Sequence, residues 1–129
     1  MIYLASPYSH PDPLVRKARY ETVMEIAHDL QTSLGHEHHL VYSPIMHFHP
    51  MCLRYEMPSD AGYWWNLNKN SMDVSSKLIV ACMSGWKDSA GVALEIEYAK
   101  FINIPVTHHT VHAVSENATE PRTFFGQNW

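Results

Sequence analysis

Residues 77–83, KLIVACM, form an almost unbroken apolar run in which only the first side chain is charged. A strand with one wet face alternates apolar and polar residues, and this one does not. Such a run suits a strand covered on both faces, the usual setting of a central strand in a parallel sheet. That requirement constrains everything around it, because parallel neighbours need crossover connections, most often helices. The first 45 residues supply them. MIYLA, residues 1–5, is a second short apolar run. Asp12 and Pro13 then provide a cap and a first-turn residue for a helix over 14–35, where Leu14, Ala18, Val23, Ile26, Ala27 and Leu30 recur at mostly helical spacing and Gly35 closes the segment. HHLVYSPI, residues 38–45, reads as another strand, which completes a strand–helix–strand unit.

Residues 46–62, punctuated by His47, His49, Pro50, Pro58 and Gly62, read as a long irregular loop, and such loops often carry sites. The segment 62–76 reads as a weak helix with Trp64, Leu67 and Met72 facing inward. Residues 91–105 read as a helix and turn, and PVTHHTVHAV follows as a last strand. The expected fold is a single α/β domain, a Rossmann-like open parallel sheet flanked by helices. It ends in an irregular aromatic tail over 112–129 whose Phe124, Phe125 and Trp129 pack on the body or on another subunit.

Open parallel sheets bind ligands beyond the carboxyl ends of their strands. Three such ends carry polar loops here: SPYSH after the first strand, SPIMHFH after the second and SGWKDSAG after the third. In the third, Ser89 and Gly91 open a helix, and Ser89 either caps it or helps its free amides hold an anion. Glu95 lies one turn inside that helix, beside a stripe of Leu94, Tyr98 and Phe101. Glu97 points elsewhere, since two residues are about 200° apart on a helix. Glu95 is either a solvated carboxylate or a group aimed at the strand ends. In the second case it can attack an electrophilic carbon or stabilise a cationic sugar. Trp64, Trp65 and Trp86 either stack on a planar ligand or close the core.

Several function classes are disfavoured. The chain holds 9 Lys and Arg against 13 Asp and Glu, for a formal charge of -4 with histidine neutral, and no basic run exceeds two residues. A surface for polymeric nucleic acid is therefore not expected. No segment has the roughly 18 apolar residues of a membrane span. The chain shows no signal-peptide pattern, and its two cysteines, Cys52 and Cys82, lie outside any CxxC motif, so a cytoplasmic setting is expected. Neither GxGxxG nor GxxxxGK[ST] is present, which disfavours dinucleotide and ATP cofactors. Ten histidines, including HEHH at 36–39 and HHTVH at 108–112, raise a metal site. None forms the helical HExxH pattern, so no metal is expected, and His47 or His49 instead meets a polar group of a ligand.

Taken together, YLASPYS near the start, YSPI after the second strand and GWKDSAGVALEIEYAK resemble the nucleoside 2-deoxyribosyltransferase-like superfamily. More narrowly, they look like a small bacterial and phage branch of it related to deoxynucleoside monophosphate N-glycosidases. The resemblance spans about residues 1–107 and is strongest over 85–99. It implies cleavage or transfer at the N-glycosidic bond of a 2'-deoxynucleoside or its 5'-monophosphate, without a cofactor, in a homo-oligomer with its site near a subunit interface. It makes Glu95, in SAGVALE, the nucleophile, and gives Ser89 and the Gly91 amide the phosphate. It places Ser6, Pro7 and Tyr8 at the sugar and base, with Tyr8 also able to position Glu95. His47, Trp64 and Trp86 are then expected to line the pocket. One position departs. Where relatives often carry aspartate before the third strand, this chain has Asn68, which can hydrogen-bond a sugar or base but cannot be a general acid. Asp88, in the same loop as Ser89, is a candidate substitute. Two other readings remain open: a nucleotide-binding module without catalysis, and a histidine-rich metalloprotein.

Overall fold

The structure is a computed structural model and describes residues 1–110 apart from 34, 37, 59 and 60. Four strands, β1 (Ile2–Ala5), β2 (Val41–Tyr42), β3 (Lys77–Cys82) and β4 (Val106–Thr110), form one parallel sheet in the order β2-β1-β3-β4. The register sets Tyr3 beside Tyr42 on one side and Leu78 on the other. Four helices flank it: α1 (Pro13–Gln31), α2 (Pro44–Tyr55), α3 (Ala61–Asp73) and α4 (Ala90–Phe101). The architecture is a small α/β domain of the Rossmann-like open-sheet kind. The aromatic residues Phe124, Phe125 and Trp129, and the whole 112–129 tail, lie outside the described residues.

Strand order explains the layering. The chain steps from β1 to β2 in one direction and then crosses to β3 on the other side of β1. Crossovers of one hand moving in opposite directions put their helices on opposite faces. The core divides accordingly. Ile2, Leu4, Ile79 and Ala81 pack with Val23 and Ile26 of α1 and Ile45 of α2. Tyr3, Ala5, Leu78 and Val80 pack with Met72 of α3 and with Val92 and Ala99 of α4. Leu78, Val80 and Ala81 are fully buried, the covering on both faces that the apolar run requires.

The expectations differ from the structure mainly between residues 38 and 62. The second strand is only two residues long. Ser43 and Pro44 end it but also begin α2: the Ser43 hydroxyl accepts from the Met46 amide at 3.2 Å, and Pro44 sits at the first helical position. The expected loop is therefore largely helix, with Pro50 inside it. Helix α1 ends at Gln31 rather than near Gly35, with Thr32 as its cap. In α3 the inward stripe is Trp64, Asn68 and Met72, while Leu67 is 49% exposed. In α4 the buried stripe is Val92, Glu95 and Ala99; Leu94 and Phe101 are exposed, Phe101 at 79%, and Tyr98 lies half-buried against the core.

Candidate functional site

The order reverses at β1, so the loops after β1 and β3 part at the carboxyl edge and leave a crevice. A cavity of about 660 Å³ occupies it, a size that suits a small molecule. Ser6 and Tyr8 enter from the β1 loop, Asp88 and Ser89 from the β3 loop, Gly91 and Glu95 from α4, and Trp64 and Asn68 from α3.

Glu95 is the chemical centre. It is 6% exposed, and the Tyr3 hydroxyl donates to its Oε2. Burial pushes its carboxyl from an ordinary 4.5 up to about 8, while the Tyr3 hydrogen bond pulls the other way. Tyr3 is itself raised well above its ordinary value, first by burial and then by the neighbouring carboxyl. In this dry setting Glu95 keeps its proton through neutral pH, and Tyr3 keeps its own well beyond it. Sequence reasoning gave Tyr8 the role of Glu95's neighbour; the residue that reaches it is Tyr3, which points from β1 toward α4. A tyrosine in an otherwise apolar buried strand was the available signal, because a buried phenol needs a partner.

One end of the cavity suits an anion. The Ser89 Oγ accepts from the Val92 amide at 3.2 Å, so it caps α4 and keeps its own proton to donate. The first amides of the helix have no partner within it, and Ala90 and Gly91 face the cavity. Arg19 of α1 lines the same cavity, a cation the sequence did not single out. Its Nη1 donates to the Ser9 carbonyl at 2.9 Å, which ties α1 to the β1 loop. Gly85, at φ 87°, lets the β3 loop pass close by: a Cβ there would come within 2.6 Å of Arg19 Nη2.

The middle holds two buried polar atoms without partners among the described residues, Ser6 Oγ and Asn68 Oδ1. Such atoms normally have partners, so both are available to a ligand. Trp64 stacks on Phe48 with centroids 4.1 Å apart and an interplanar angle of 18°, and its Nε1 donates to the Pro58 carbonyl at 2.8 Å.

Three expected residues do not line the cavity. Pro7 is fully buried in packing. Trp86 packs on the α3/α4 side of the core and against His108. His47 is exposed, because α2 buries Ile45, His49 and Cys52 at helical spacing and turns residue 47 outward. His49 lines the cavity in its place. Among the described residues no three His, Cys, Asp or Glu side chains gather at metal-ligand spacing, and no helix is long and apolar enough to cross a membrane.

No curated protein matches the chain. A family model described as a domain of unknown function, DUF1937, matches residues 1–111. The match runs from β1 through β4 and takes in every residue that lines the cavity, so the chain belongs to the DUF1937 family.

Proposed function

We propose that the protein cleaves or transfers at the N-glycosidic bond of a 2'-deoxynucleoside or its 5'-monophosphate, with Glu95 as nucleophile. The observation that carries this reading is a buried carboxyl, held by a phenol, at the switch point of a parallel sheet and in one cavity with an anion-accepting helix start. The Glu95 carboxylate attacks the anomeric carbon, and the bond from that carbon to the base breaks. The base departs with the bonding electrons and takes up a proton. Water or a second base then attacks the same carbon, breaks the ester and regenerates the carboxylate. Splitting the displacement in two lets a weak acceptor finish the reaction.

The other residues have matching parts. Ser89, the Gly91 amide and Arg19 receive the 5'-phosphate or 5'-hydroxyl. Asn68 and Ser6 hydrogen-bond the sugar, and Tyr8 and Trp64 border the base. Asp88 stands at the rim, where it can serve the departing base. Assembly as a homo-oligomer in the cytoplasm belongs to the same reading, and the exposed α4 side chains Leu94 and Phe101 offer a face for it.

The test is chromatography of 2'-deoxynucleosides and their 5'-monophosphates incubated with the protein, with and without a second free base, beside a Glu95→Gln control. Base release that vanishes in the control supports the reading; a new nucleoside formed only with added base marks a transferase. A second reading, a nucleotide-binding module, is favoured by Asn68 at a position where an acid would help the base depart. It predicts binding without turnover and little change in affinity for Glu95→Gln. The metalloprotein reading has no cluster of ligands among the described residues to rest on.

A further inference from the structure

His49 is a buried titratable group in the cavity that the proposed chemistry leaves unused. It is 3% exposed, lies flat on Tyr20 of α1 with centroids 4.4 Å apart, and meets the edge of Tyr8. Its Nδ1 is 2.5 Å from the Tyr8 hydroxyl, and among the described residues its Nε2 has no partner. Each ring nitrogen of a neutral imidazole has a fixed part, one a donor and one an acceptor, and the hydrogen bond made by one sets the other.

The neighbours decide which is which. A phenol O–H is a stronger donor than a neutral imidazole N–H, and an imidazole nitrogen a stronger acceptor than a phenol oxygen, so the Tyr8 proton points at Nδ1. Nδ1 then accepts, and the ring proton sits on Nε2. Burial pushes the imidazole below its ordinary value, Arg16 pushes it the same way and Glu21 opposes, so the ring is neutral at pH 7. The result is one N–H donor on the α2 side of the cavity, in the same space as the unpartnered acceptor Asn68 Oδ1 on α3.

Resting on the deoxynucleotide reading above, we propose that His49, locked as its Nε2–H tautomer by Tyr8, is a specificity-determining residue that donates a hydrogen bond to an acceptor atom of the ligand's heteroaromatic base. Tyr8 is then a positioning residue that acts through His49. A purine ring nitrogen or a pyrimidine carbonyl fits such a donor; a C–H at the same place leaves the N–H buried and unpaired, which costs affinity.

Two measurements test this with the full chain. Nitrogen-15 NMR of the histidine side chains at pH 7 reads the tautomer with no ligand present. The expected result is an Nε2–H signal for His49 that loses this fixed form in Tyr8→Phe; an Nδ1–H or doubly protonated ring overturns the proposal. Calorimetry then compares 2'-deoxyadenosine 5'-monophosphate, its 3-deaza and 7-deaza analogues, and 2-deoxyribose 5-phosphate on wild type, His49→Phe and His49→Gln. The Phe variant is expected to lose about tenfold or more for the nucleotide. The Gln variant, whose amide N–H replaces Nε2–H, stays within about threefold, and the sugar phosphate is unaffected by either. One deaza analogue weakens wild type by a similar factor and does not weaken the Phe variant further. If the Phe variant does not fold, His49→Asn makes the same comparison, since its amide takes the place of Nδ1 and leaves nothing at Nε2. Wild-type affinity in the Phe or Asn variant, or an equal loss for the sugar phosphate, overturns the proposal while the function stands. Failure of wild type to bind either compound overturns the function and the base contact with it.

Discussion

Replacing Glu95 by glutamine removes the buried charge and keeps the shape. The glutamine carbonyl still accepts from the Tyr3 hydroxyl, so what changes is the proton. In the native protein the Glu95 carboxyl titrates near 8, against an ordinary 4.5. Between those values the unfolded chain has released this proton and the native chain has not. Protons bound to the native state alone stabilise it, and that contribution is fully present below about pH 4.5. It is lost as pH rises through about 8, at about 1.4 kcal/mol per pH unit. The whole shift corresponds to about 5 kcal/mol, and relaxation around the charged form reduces what is measured, so a difference of about 2–5 kcal/mol is expected. The assay is urea unfolding of wild type and Glu95→Gln from pH 5 to pH 9. The two chains should be nearly equal at pH 5. By pH 9 the variant should be the more stable by that amount, which is roughly 10 °C in melting temperature for a domain of this size. Other groups titrate in both chains, so the difference isolates Glu95. A difference that does not change with pH, or a variant less stable at pH 9, refutes the claim that Glu95 is buried and uncharged at neutral pH.

Tyr3→Phe removes the donor that favours the charged carboxylate, so the Glu95 pKa should climb further. The rise of kcat/KM with pH should then begin at higher pH than in wild type; an unshifted profile would contradict the Tyr3–Glu95 pairing. Ser89→Ala should cost about 1 kcal/mol of stability through the lost cap of α4 and weaken 5'-monophosphates more than the corresponding nucleosides, read by urea unfolding and calorimetry. Gly85→Ala should destabilise by roughly 1–2 kcal/mol, because φ 87° strains any side chain and the new methyl displaces the Arg19 guanidinium; phosphate binding should fall with it.

The sheet was legible because its signals were local and agreed with one another. KLIVAC is apolar throughout, and Asp12 with Pro13 marks a helix start with its own cap: the Asp12 Oδ1 accepts from the Leu14 amide at 2.9 Å. Helix α2 was hidden because Ser43 and Pro44 end a strand and begin a helix at once, and because Pro50 and two histidines read as loop punctuation. Read as a loop, this segment offers nothing to choose between His47 and His49. Helical phase makes that choice, turning one into solvent and the other into the cavity. On α4, helical phase likewise separates the Leu94–Tyr98–Phe101 stripe from the buried one. Burial there runs through Val92, Glu95 and Ala99, and a carboxyl in an apolar stripe is the pattern that marks it as more than a surface charge. Tyr3 and Arg19 needed three dimensions. Each meets its neighbours across the sheet edge, Tyr3 reaching Glu95 some 92 residues away in sequence. Trp86 illustrates the opposite case, since a tryptophan beside a site loop turned its ring into the core.

The central claim is that Glu95 bonds to the anomeric carbon of a deoxynucleoside or its monophosphate. Mass spectrometry of the protein after incubation with 2'-deoxy-2'-fluoroarabinosyl nucleosides and their 5'-monophosphates tests it most directly. Fluorine beside the reacting carbon slows breakdown of the ester and lets it accumulate. The account predicts one added sugar, located by peptide mapping on Glu95 and absent in Glu95→Gln. Base release with no adduct at any time, or an adduct on another residue, would contradict it.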